Sequence, residues 1–90
     1  MEKVEMVRVR STPEAVCDAM SSITECLENM RTTTSASDIK IFRLSRYEGD
    51  LAVFIFWDHS TTREKSREGL MVAEILQQIG AFNHFVWVTK

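Results

Sequence analysis

Four side chains of this 90-residue chain combine a reactive type with a confined setting: Trp57, His59, His84 and Arg8. The segment LAVFIFWDHSTTREK (51–65) opens with seven apolar residues, breaks at Trp57-Asp58-His59 and continues as polar, helix-starting sequence. A Trp where a buried strand leaves the core either packs there or offers an aromatic wall to a ligand. His59 shares its face if the strand continues. As a general base it would need a pKa near the working pH and a substrate within hydrogen-bond reach. Asp58 either orients a histidine elsewhere or simply begins the loop. His84 shares a face with Phe82 and Val86, which predicts a half-buried imidazole. His59 and His84 are therefore the catalytic candidates.

Arg8 and Trp57 are the ligand-binding candidates. Arg8 falls on a strand that should lie inside a sheet, where a charge must find a partner or a cavity. Facing a cavity, it could hold a carboxylate, enolate or phenolate. Glu5, on the opposite face of the same strand, poses the same problem, and strand ends near solvent could resolve both. Arg43 and Arg46 read as protection of an edge strand. No metal site is expected. Cys17 and Cys26 lie nine apart on one helix, about 180° from each other at ~100° per residue. They cannot bridge within the chain and match no Cys-pair or Cys/His ligand spacing. There is no Gly-rich phosphate loop and no Ser/His/Asp spacing, so no cofactor is expected either.

The elements that must position these groups follow from periodicity. Residues 2–10 alternate as a strand, with Val4, Met6, Arg8 and Arg10 on one face and Glu5, Val7 and Val9 on the other. STPE starts a helix, with Ser11 or Thr12 as cap and a Ser11/Glu14 capping-box pattern. Val16, Met20, Ile23, Leu27 and Met30 then form one apolar stripe. Residues 38–47 alternate as a second strand, EGD around Gly49 predicts a hairpin turn, and Leu51–Trp57 reads as a strand apolar on both faces. Thr61-x-x-Glu64 is a second capping box, predicting a helix over 63–79 with Val72, Ile75, Leu76 and Ile79 inward. Gly69 weakens its first turns, and Gly80 stands where a helix stops. Residues 81–90 form the last strand. The order β-α-β-β-α-β predicts one α+β domain over 1–90. It is a ferredoxin-like sandwich with both helices on one face of a four-stranded antiparallel sheet and strands one and three central.

Composition narrows the partners. At 44% apolar and 27% charged, the chain is an ordinary globular one with a modest core. A net charge of -2 provides no broad positive field for nucleic acid or an anionic membrane. The N-terminal MEKVEMVRVR has no apolar h-region, and Leu51–Trp57 is too short to span a bilayer as a helix. A cytoplasmic protein with no nucleic-acid or membrane partner is expected. Two helices hide only one face of the sheet, yet strands three and four carry apolar residues on both. The remaining face needs a cover. GDLAVFIF does not satisfy the RNA-recognition signature, and RSTPEA lacks the Cys-pair loop of soft-metal chaperones.

On element order, on the strand-end Trp of FIFWDHSTTREK and on the closing HFVWV, the chain resembles the dimeric α/β-barrel superfamily. Within it, it looks most like the antibiotic-biosynthesis-monooxygenase group. The resemblance implies a homodimer paired sheet to sheet, with a small apolar cavity between sheet and helices in each half. It also implies cofactor-independent oxidation of aromatics, haem degradation or lactone isomerisation among the group's activities. The first strand lacks the Asn that oxygenase members often carry, with Arg8 or Arg10 in the general area instead, and the second helix offers no His for haem. The expectation is a homodimer that binds, or transforms without a cofactor, a small aromatic or carboxylated molecule near Arg8 and Trp57. The competing expectation is a non-catalytic ligand-binding or assembly module whose free sheet face is buried in the dimer.

Overall fold

The computed structural model describes all 90 residues. Its elements are β1 (Lys3–Arg10), α1 (Pro13–Arg31), β2 (Asp38–Leu44), β3 (Tyr47–Trp57), α2 (Arg67–Leu76) and β4 (Ala81–Val88). The sheet is antiparallel throughout with order β2-β3-β1-β4. This is the ferredoxin-like arrangement, with β1 and β3 central. No helix is long and apolar enough to cross a membrane.

Register sorts the side chains. Val7 lies opposite Val53, and Val9 opposite Leu51. These residues, with Ile39 and Ile55, form the sheet's half of the core. The helices supply Val16, Ile23, Leu27 and Met30 from α1, and Val72, Ala73 and Leu76 from α2. Thus the stripe expected on α1 packs inward at 4- and 3-residue steps, as helical geometry requires. No residue of β4 is fully buried. The other face carries Met6, Arg8, Ala52, Phe54, Phe56, Phe42 and Phe85, and no element covers it.

Three expectations shift. The hairpin between β2 and β3 turns at Ser45-Arg46, because Leu44 pairs with Tyr47 across a register irregularity. Gly49 lies within β3. Its carbonyl accepts from Ser11 N at 2.8 Å, and a Cβ there would collide with Ser11 O and the Tyr47 ring. The second helix begins at Arg67 rather than 63, capped by Ser66 rather than Thr61. The intervening residues are tied off as irregular loop by Ser60 N to Met1 O, Lys3 Nζ to Glu64 O and Ser66 N to Glu5 Oε1. At α1, Thr12 caps through Ala15 N, while the Ser11 hydroxyl donates to Ile79 O. The Ser11/Glu14 box gives way to a tie between the two helix ends.

Gly49→Ala tests the close approach of β3 to the β1–α1 junction. Because the added methyl meets backbone oxygen, it is expected to cost about 1–3 kcal/mol, the range for overpacking. Urea denaturation of the two proteins measures it.

Candidate functional site

Chemistry-bearing side chains gather in two places on opposite faces of the sheet. Under α2, on the helix side, Glu5 is 0% exposed. A buried carboxylate is tolerable only when donors replace its water. Here Trp57 Nε1 donates at 3.0 Å, Ser66 N at 2.9 Å, and His84 Nε2 lies 3.0 Å away. Burial pushes the Glu5 carboxyl up, but the hydrogen bonds from Ser66, His84 and Trp57 outweigh it, so its pKa lies below the ordinary value. The ionised carboxylate sits at the N-terminal end of α2, where the helix dipole favours negative charge. An ionised Glu5 makes Nε2 the protonated nitrogen of His84. Nδ1 has no partner within the chain.

Two further residues complete this cluster. Lys3, also buried, places its ammonium 5.2 Å from the centre of the Trp57 ring. Gly69 follows Ser66 in the first turn of α2, and its backbone N–H caps on Ser66 Oγ at 2.9 Å. A Cβ at 69 would strike Glu5 Oε1 and the His84 ring. The glycine that sequence reading treats as a weakness in the helix is what lets α2 close onto the carboxylate.

On the free face, Arg8 and Arg10 converge on Asp50. Arg8 donates from Nε to Oδ1 and from Nη2 to Oδ2, both at 3.1 Å. Arg10 donates from Nε at 3.0 Å and from Nη2 at 2.7 Å, both to Oδ2. The two guanidinium groups, Arg8 first, hold the Asp50 carboxyl below its usual pKa, and Asp50 in turn raises that of Arg8. Arg8 Nη1 is left without a partner in the chain. Arg8 lines a groove of about 490 Å³ with Arg43, Asp50, Phe42, Leu44 and Phe54. Phe42 meets Phe54 edge to face at 5.4 Å. A guanidinium nitrogen beside aromatic walls can take a carboxylate and stack the ring attached to it.

The structure therefore separates residues that the sequence reading grouped. Trp57 and His84 meet around Glu5, and Arg8 lies on the other side of the sheet. One cavity shared by Arg8 and Trp57 does not form, because their positions on β1 and β3 point to opposite faces. Between sheet and helices, Lys3, Glu5, Trp57 and His84 pack together beneath α2. The second cavity, about 560 Å³, lies instead between α1 and α2, beside Cys26, Glu25, Asn29, Arg67 and Met71. Burial raises the Cys26 thiol pKa, which makes it a poor nucleophile. His59 is exposed in the loop after β3. Both cysteines are free, and no group of three or more His, Cys, Asp or Glu side chains is placed to hold a metal. Alternation along residues 2–10 marks Glu5 as a charge on a central strand without giving it a role, and the EGD pattern places Asp50 in a turn. A carboxylate in phase with core valines at 7 and 9 was the available signal for the first.

Glu5 and Asp50 both have lowered folded-state pKa values. Their stabilisation is complete above the unfolded carboxylate value, about 4, and is lost as pH falls through the folded values. Denaturation midpoints should hold near neutral pH and drop on the acid side. Glu5→Gln turns an amide group toward one of the donors, so about 1–3 kcal/mol should be lost at pH 7, with a shallower acid limb. Gly69→Ala should also destabilise, and urea titrations across pH read all three.

No protein-family model matches this chain, and no curated protein matches its sequence. Solved structures do match its fold. A conserved protein from Methanosarcina mazei Go1 superposes with a TM-score of 0.78 at 12% identity, covering 100% of this chain and 94% of that one. An antibiotic biosynthesis monooxygenase gives 0.72 at 13% identity, over 100% and 99%. SnoaB, a cofactor-independent oxygenase from Streptomyces nogalater, gives 0.61 at 14% identity, over 99% and 93%. The chain shares the ferredoxin-like fold of these proteins, an antibiotic biosynthesis monooxygenase and a cofactor-independent oxygenase among them.

Proposed function

We propose that this chain is a cytoplasmic homodimeric α/β-barrel protein that binds a small aromatic or carboxylated molecule on the free face of its sheet. The carrying observation is the groove at Arg8, where an open guanidinium nitrogen stands among Phe42, Phe54 and Leu44. The likeness to SnoaB and to an antibiotic biosynthesis monooxygenase makes electron-rich aromatics the natural compounds to assay for cofactor-independent oxygenation. Two free cysteines suit a reducing compartment.

Pairing of two copies is supported by what the free face exposes. Phe42, Leu44, Phe85 and Trp87 are all exposed, Trp87 to 62%. An apolar patch of this kind on a small domain is normally covered. Sheet-to-sheet pairing would cover it and roof the open groove. A second reading, a pure assembly module, is favoured by the same exposed aromatics and needs no ligand.

Arg8→Ala separates the two readings, because Asp50 keeps Arg10 as a partner. In NMR titrations with 2-naphthoate, the wild-type protein should show shifts at Phe42 and Phe54. The variant should bind about 10–100-fold more weakly, the loss of one hydrogen bond to a charged group. Unchanged affinity, or no binding by the wild type, would leave only the assembly reading.

A further inference from the structure

We propose that the groove selects an aryl carboxylate, and that binding this anion is thermodynamically linked to the pairing of two copies. This rests on the reading above that two copies pair through this face.

Charge on the face is the starting point. Strand alternation places Arg8, Arg10 and Lys40 there against Asp38, Glu48 and Asp50, three groups of each sign. Two of the carboxylates are already engaged. Asp50 accepts four hydrogen bonds from Arg8 and Arg10, and Asp38 lies 3.9 Å from Lys40. Arg43 adds a further positive group at the groove itself. With Arg43 the surplus is cationic, and Nη1 of Arg8 is an open hydrogen-bonding position at the groove.

The rest of the face is aromatic. Stacking two identical faces about a twofold axis removes apolar surface from water, which favours association. It also brings two like surpluses under cover, and an uncompensated charge taken out of water opposes it. An aryl carboxylate in each groove resolves the conflict. Its carboxylate accepts from Arg8 Nη1 and cancels one charge, and its ring extends the Phe42–Phe54 pair. A neutral aromatic supplies the ring alone and leaves the surplus in place. Ligand and second copy thus favour each other, by the same factor in both directions.

Sedimentation equilibrium of the full chain with 2-naphthoate tests the linkage, with neutral 2-naphthamide as control. The anion should tighten the dimer dissociation constant about tenfold or more, inside the usual ~5–150-fold span of such couplings. The amide should leave it unchanged. Arg8→Ala should abolish the response, and Arg8→Gln replaces it if the alanine variant does not fold. Bound 2-naphthoate with an unchanged dimer constant overturns the linkage and leaves the ligand reading standing. A dimer that binds no 2-naphthoate overturns both the linkage and the ligand. A chain that stays monomeric with 2-naphthoate bound overturns the pairing on which the linkage rests.

Discussion

A carboxylate with no exposed surface dictates much of this structure. Glu5 sits in the core-facing register of a central strand, two residues before Val7, where an apolar side chain would ordinarily stand. Leaving it ionised there requires donors, and the donors come from three separate segments. Trp57 arrives from the end of β3, Ser66 from the cap of α2 and His84 from β4. Each is thereby held to one position. The start of α2, the exit of β3 and the orientation of the His84 ring all follow from answering one charge. Gly69 belongs to the same constraint, since any side chain there would occupy the carboxylate's space.

That constraint also explains where the molecule has room and where it does not. In the layer between sheet and helices, the Glu5 cluster occupies the region beneath α2 and the aliphatic core occupies the rest. The open groove lies on the opposite face, where Arg8 and Arg10 share Asp50. The two faces deploy charge differently. On one, a single negative group is enclosed and fully satisfied. On the other, Arg8 and Arg10 share one carboxylate beside exposed aromatic rings.

Periodicity carried the fold legibly. Alternation at 2–10 and 51–57, the 4- and 3-residue steps of α1, and the doubly apolar third strand together specify the β-α-β-β-α-β order and the central place of β1 and β3. The same local patterns misplaced the start of α2 by four residues and the hairpin turn by a few. A capping box at Thr61 was available, but Ser66 N is drawn to Glu5, 61 residues away. Partners separated by 52, 61 and 79 residues leave no mark in a short-range pattern. Face assignments were legible as well. Arg8 and Glu5 were placed on opposite sides of β1, but the β1–β3 register that separates Arg8 from Trp57 was not legible. What the sequence did not show was that Glu5, Trp57, Ser66 and His84 come together, because that depends on side chains meeting in space.

A crystal structure of the protein grown with 2-naphthoate tests this division of labour most directly. The expected result is two copies paired through the free face, with the carboxylate within hydrogen-bond distance of Arg8 Nη1 and the ring against Phe42 and Phe54. Naphthoate found under α2, beside Trp57 and His84 with Glu5 displaced from its donors, would contradict it.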